Sequence, residues 1–293
     1  MIDLHFHSNY SDGIYSPQEL VKKAKKFGLT FIALTDHNGI DGLEEFLSQA
    51  RKEKIKAWPG VEIYTYWRGK HVHLLGYRFA LDNKNLQKAL KNLQQNHIPK
   101  IKKVIKFLKK DGWAIKEKEV FRGNSSYIGL GQIAGALKEH PENWPRLEKD
   151  FNQRAATISL TEIVAKYFFK NGRSICPESE ISTKEAIKLI KNANGLAILA
   201  HPGQQLSRRD ESLIREFKKM GMDGLEAISS HHNWDGVEYW QKIAIRLNLL
   251  ITVGSDFHGD LPLEWRFPVR SVWEYFKVPS SNLKINKIDF SDF

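Results

Sequence analysis

Short apolar runs recur along the chain, each closed by polar or turn-forming residues. Seven of them, at 2–6, 30–34, 56–63, 71–77, 196–200, 224–228 and 249–253, have the length and β-rich character of strands. Most are followed by a stretch of helical spacing. Ser16 is placed as N-cap of the first helix, with Pro17 at its first position. Segments 41–53, 183–194, 208–220 and 235–247 read as further helices, and Gly28, Gly195 and Gly221 stand where helices should stop. Alternation of strand and helix predicts an α/β fold built on a parallel barrel or an open parallel sheet.

The alternation lapses after Tyr77. From about 81 to 172 the pattern is mostly helical and contains no good strand. Ile101, Val104, Ile105 and Leu108 have helical spacing and form one apolar face, while lysines at 100, 102, 103, 106, 109 and 110 occupy most of the rest. The expected organisation is a barrel domain, 1–80 and 173–293, interrupted by a helical insertion or lid, 81–172.

Composition narrows the setting. A hydrophobic content of 41% in 293 residues supports a sizeable core. The single cysteine, Cys176, excludes an internal disulfide framework and fits a reducing compartment. No apolar run approaches the roughly 20 residues that span a bilayer, and the short run at 2–6 already carries histidine, unlike a signal peptide. A cytoplasmic protein without membrane partners is expected. The formal charge of +11 favours anionic partners, nucleic acid among them.

The chemistry gathers beside the strands. His5 and His7 are two apart on one strand and therefore point the same way. Asp12 lies in the Ser-Asp-Gly turn that follows. Asp36 and His37 follow the run 30–34, with His37 the better ligand candidate and Asp36 a cap or a partner to an imidazole. Glu62 follows Pro59-Gly60 and has two oxygens able to bridge ions. His71 and His73 share parity, and spacing does not choose between them. His201 follows 196–200, and Asp256 and His258 follow 249–253. Seven of the eleven histidines fall in these clusters, and the rim of a barrel is where strand ends meet. Imidazoles and carboxylates converging from the whole chain suit a group of divalent metal ions.

Taken in order, Asp3-Leu4-His5-Phe6-His7-Ser8, Ser11-Asp12-Gly13, Leu34-Thr35-Asp36-His37-Asn38, Pro59-Gly60-Val61-Glu62, Val72-His73-Leu74-Leu75-Gly76, Ala200-His201-Pro202-Gly203 and Gly254-Ser255-Asp256-Phe257-His258 resemble the motifs of the polymerase and histidinol phosphatase (PHP) family. Within it, the chain most resembles the branch acting on nucleoside 3′,5′-bisphosphates and RNA 5′ ends. The resemblance implies a distorted (β/α)7 TIM-like barrel with a helical insertion after the fourth strand. It also implies three divalent ions, of manganese, iron or zinc. His5, His7, Glu62 and Asp256 would hold the first, and Asp12, His37 and His258 the second. Glu62, His73 and His201 would hold the third, which selects His73 over His71. Asp12, Glu62 and Asp256 would be the catalytic carboxylates. The branch's Arg-x-His string is replaced by Leu130-Gly131-Gln132-Ile133-Ala134. Arg173 and His232 are the expected contacts to substrate phosphate.

The function expected is hydrolysis of phosphate esters, of nucleotides or short RNA 5′ ends, by a metal-activated hydroxide. Two alternatives compete. An amidohydrolase of C–N bonds would also begin with His-x-His on a barrel strand. A metal- and RNA-binding protein without turnover would fit the missing Arg-x-His string.

Overall fold

The computed structural model describes residues 1–259 except 124, 126, 171–172 and 175–180, and describes the backbone alone at 161, 169–170 and 173–174. The first half of the barrel comprises β1 (Ile2–Asp3), α1 (Pro17–Lys26), β2 (Phe31–Leu34), α2 (Leu43–Glu53), β3 (Lys56–Trp67) and β4 (Lys70–Tyr77). Next come α3 (Lys84–Lys110), α4 (Glu117–Val120), α5 (Leu130–Glu139), α6 (Trp144–Phe151) and α7 (Leu160–Phe168). A small antiparallel pair follows, β5 (Phe169–Lys170) with β6 (Arg173–Ser174). The chain returns through β7 (Ile181–Ser182), α8 (Thr183–Asn192), β8 (Leu196–Leu199), α9 (Pro202–Gln205), α10 (Glu211–Lys219), β9 (Gly224–Ser229), α11 (Trp234–Arg246) and β10 (Leu250–Gly254).

Seven strands follow one another around the sheet in the order β1-β2-β3-β4-β8-β9-β10, with β7 an extra partner of β3. The ends meet. Leu4 N donates to Val253 O at 3.0 Å, and Phe6 bridges Phe257. The sheet is thus a nearly closed barrel of seven strands. Its floor is a cluster of Ile2, Leu4, Phe31, Ala33, Trp58, Leu75, Tyr77, Ile198, Ala200 and Val253. The apolar stripes of α1, α2, α8, α10 and α11 cover the outside in a second, larger cluster. Ser16 caps α1 as its sequence predicts, in a reciprocal box with Glu19.

One expectation changes. The barrel is not all parallel. β3 runs on past Ile63 to Trp67 and turns through Arg68 (φ +48°) and Gly69 (φ +78°) into an antiparallel β4. Two positive φ values in a two-residue loop match the right-handed twist of the flanking strands. β8 is also antiparallel to β4. Reversal puts the start of β4, rather than its end, at the rim where β3 delivers Glu62.

Helices α3 to α7 share a hydrophobic cluster of their own, built from Ile101, Val104, Ile105, Leu108, Trp113, Leu137 and Phe168 among others. α3 joins the two bodies of packing. Its Leu86 and Leu90 belong to the barrel's outer cluster, and its second half belongs to the cluster of helices α3 to α7.

Candidate metal centre

Glu62 is the hub. Its side chain is completely buried, and its two oxygens face five imidazoles. Oε1 lies 2.9 Å from His73 Nδ1 and 3.1 Å from His201 Nε2. Oε2 lies 2.8 Å from His37 Nδ1 and 3.4 Å from Nε2 of both His5 and His7. These side chains come from β3, the β1 extension, the β2 and β8 ends and the reversed start of β4. Asp256 Oδ1 lies 3.0 Å from His7 Nε2 and 3.2 Å from His5 Nε2. Asp12 Oδ1 lies 3.2 Å from His258 Nε2 and 3.4 Å from His37 Nε2.

All nine side chains expected as ligands therefore converge. They form two groups whose donor atoms lie within 4.8 Å of one another: His7, Asp12, His37 and His258, and His5, Glu62, His201 and Asp256. His7 sits between them, since its Nε2 also approaches His5 Nε2 at 3.2 Å. His73 joins through Glu62, and His71 stands exposed two residues nearer the start of β4.

Several of these atoms are buried without a hydrogen bond: His7 Nδ1, His37 Nδ1, Asp12 Oδ1 and Glu62 Oε2. An orphaned buried polar atom is costly, and four in one cluster need a common partner. Imidazole nitrogens and carboxylate oxygens are donors suited to manganese, iron or zinc. The residues present fit divalent metal.

The electrostatics agree. Burial lowers His7 to about 3, helped by His37 and His258, and lowers His73 to about 4 despite Glu62. Burial opposes protonation of His258 too, but Asp12 and Asp256 outweigh it and raise it to about 9. His5 and His37 are raised against burial by their carboxylate neighbours, Glu226 first for His5 and Asp12 first for His37. Without an ion, the cluster compensates its carboxylates with protons on imidazole.

The supporting residues were less visible in the sequence. Glu226, fully buried in β9, lies 3.0 Å from His5 Nδ1 and accepts from His201 N at 2.9 Å. It fixes which His5 nitrogen faces the centre. A carboxylate inside the apolar run Gly-Leu-Glu-Ala-Ile was the available signal. Room for it depends on Gly254, where a Cβ would stand 2.1 Å from Glu226 Oε1 and 2.2 Å from His5 Cβ. Asp3 accepts from Ser255 N, Ser255 Oγ and His5 N, tying β1 to the strand end that carries Asp256. Asp36 caps no helix. It accepts from Ser8 N, Ser8 Oγ and Ser11 Oγ, each at 2.7 Å, and so shapes the turn that presents Asp12. Asp256 itself has φ +56°, an uncommon conformation pinned by Asp256 N donating to His5 O at 2.8 Å.

His232, expected at substrate phosphate, is turned into the backbone. Its Nδ1 donates to Ala227 O at 2.9 Å and its Nε2 accepts from Gly203 N at 2.9 Å, so both nitrogens are used. The neighbouring His231 reaches the centre instead, with Nε2 2.6 Å from Asp256 Oδ2. Adjacent histidines in a turn cannot be told apart by spacing. The backbone of Arg173 lies in β6, and its side chain is outside the described residues. The stretch replacing Arg-x-His opens α5 beside the centre: Gln132 Nε2 donates to Ser11 O at 2.6 Å, and a side chain on Gly131 would begin 3.8 Å from Asp12 Oδ2.

Residues 3–162 match the PHP domain. The chain belongs to the PHP family. This PHP protein is 28% identical over 264 residues to the 3′,5′-nucleoside bisphosphate phosphatase of Chromobacterium violaceum, covering 88% of this chain and 87% of that one. It is 30% identical over 269 residues to a 5′-3′ exoribonuclease of Haemophilus influenzae, covering 90% and 91%. Among solved structures it resembles a proposed metal-dependent phosphoesterase from Bifidobacterium adolescentis, with TM-score 0.74, 26% identity and 88% and 87% coverage. It also resembles an amidohydrolase from Chromobacterium violaceum solved with sulfate and no metal, with TM-score 0.72, 27% identity and 94% and 95% coverage. Its membership and relatives make the PHP chain a hydrolase of phosphoester bonds. Among the described residues, no helix is long and apolar enough to cross a membrane.

Proposed function

We propose that the chain removes phosphate from nucleoside 3′,5′-bisphosphates and processes 5′-phosphorylated short RNA. The observation that carries this reading is Glu62, buried among five imidazoles and, from within one four-donor group, also reaching His7 and His37 of the other. The proposed ligands are His5, His7, Asp12, His37, Glu62, His73, His201, Asp256 and His258, holding three ions, of manganese, iron or zinc. Bound there, such ions neutralise phosphate oxygens and acidify water toward neutral pH.

The chain's own residues supply the geometry. Glu62, completely buried, links the two groups through His7 and His37. Asp12 and Asp256 have side chains 26% and 11% exposed, so they form the face that meets substrate. His231, 30% exposed, sits on the outer oxygen of Asp256 and orients it. Arg173 is proposed to clamp phosphate, its guanidinium offering a bidentate fork. Segment 81–172 is proposed as a lid, because Gln132 and Ser125 already hold the Asp12 turn through Ser11 O. A cytoplasmic setting follows from the lone cysteine and nucleotide substrates.

The relatives' names support nucleotide and RNA substrates, and sulfate in one structural neighbour is a tetrahedral dianion like phosphate. That neighbour's description as an amidohydrolase favours C–N hydrolysis as the second reading. One assay panel with manganese separates them: adenosine 3′,5′-bisphosphate, a 5′-phosphorylated short RNA, histidinol phosphate and a cyclic amide. Wild type should release phosphate or nucleotide from the first two, and Asp256→Ala should release none. Turnover of the amide alone, or undiminished activity in the variant, would overturn the proposal.

A further inference from the structure

The outward face of α3 has no role in the centre. Its 27 residues include Lys84, Lys88, Lys91, Lys100, Lys102, Lys103, Lys106, Lys109 and Lys110 and not one carboxylate. Lys102 pairs with Glu117 at 2.9 Å. Lys103, Lys106, Lys109 and Lys110 are exposed and have no acidic partner among the described residues. The last two sit in the final turn, where the helix dipole favours cations. Lys103 and Lys106 do not, and lysines three and four apart repel. Phe107, four residues after Lys103 and three before Lys110 on the same face, has 59% of its surface exposed. A ring set among lysines on a helix whose apolar face is already buried is poorly explained as packing.

The same helix touches the centre. Gln94 Nε2 donates to Asn38 O at 3.0 Å, next to His37. The His97 ring stacks on Tyr127 at 5.0 Å, and the Tyr127 ring lies 6.2 Å from that of His37. From His97 to Lys110 the helix rises about 20 Å at about 1.5 Å per residue. That is about six nucleotides at the stacked spacing of about 3.4 Å per phosphate.

Resting on the reading above, we propose that the second half of α3 is a binding track for single-stranded RNA whose 5′ end occupies the metal centre. Lys103, Lys106 and Lys110 face the phosphates, and Phe107 offers a face on which a base stacks. Charge complementarity selects the occupant. An anionic membrane would need an exposed apolar face, and that of α3 is committed to the insertion's cluster.

The test compares wild type with the Lys103→Gln/Lys106→Gln/Lys110→Gln variant and with Phe107→Ala. Binding of a labelled, 5′-phosphorylated eight-nucleotide RNA is measured by anisotropy in chelator, across a salt series. Turnover of adenosine 3′,5′-bisphosphate and of RNAs of two and eight nucleotides is measured with manganese. The triple variant should bind the longer RNA on the order of tenfold more weakly, with a log–log salt slope smaller by about 2. Phe107→Ala should weaken the same complex without changing the slope. Neither variant should change turnover of the bisphosphate. Unaltered RNA binding and slope would overturn the track. So would equal losses on short and long substrates, or lysine-dependent binding to phosphatidylserine vesicles with none to RNA. If no substrate is turned over yet the lysines still govern RNA binding, the track stands and the proposed activity falls.

Discussion

At the residue scale, the centre depends on side chains that hold other side chains still. Glu226 fixes the His5 ring from behind, and loss of such a partner typically costs about 10–100-fold in metal affinity or activity. Glu226→Gln should show that loss by metal titration while the protein still folds; unchanged affinity would remove Glu226 from the account. Protons give a second prediction. An ion needs a deprotonated nitrogen, and His258 at about 9, with His5 and His37 also raised, holds protons at neutral pH. Manganese binding at pH 7.5 should therefore release protons, and affinity should rise with pH toward 9. Calorimetry in two buffers of different ionisation enthalpy reads this directly. The sign for stability follows. A raised folded value gives His258 a stabilising contribution that is complete below its unfolded value of 6.5 and fades as pH climbs to about 9. The metal-free melting temperature should fall across that window. Nine side chains brought together here could be picked out because their His, Asp and Glu types recur in or next to the apolar runs and the turn after the first. Glu226 stands alone in its run with no motif residue beside it, and His231 stands beside an equivalent neighbour.

At the element scale, hydrophobic periodicity located the seven barrel strands and the helices between them, because each buries one stripe or both faces. Direction was not legible. Ending the third strand at Ile63 hid Tyr64-Thr65-Tyr66-Trp67 and the two-residue turn after it, and with them the reversal that brings His73 to Glu62. The close approach of β9, β10 and β1 was equally invisible, since it is a matter of ångströms at Gly254. Gly254→Ala forces a Cβ into Glu226 and His5. Overpacking of this kind costs about 1–3 kcal/mol. The variant should melt lower and also bind metal more weakly, because the displaced groups are the ones that orient the centre. A melting temperature and metal affinity equal to wild type would show that the space is not needed.

At the scale of the whole molecule, the break in alternation after Tyr77 coincides with helices that pack on a hydrophobic cluster of their own. That α3 belongs to both bodies could not be read from periodicity, which looks the same whichever core a helical stripe meets. Convergence of donors from residue 5 to residue 258 is a property of barrel closure rather than of any single motif. The most direct test is anomalous scattering from crystals of the manganese-loaded protein. Peaks should appear among His5, His7, Asp12, His37, Glu62, His73, His201, Asp256 and His258, with the donor atoms drawn onto the ions. Manganese found elsewhere, or these side chains keeping their direct contacts with no anomalous density between them, would contradict the account.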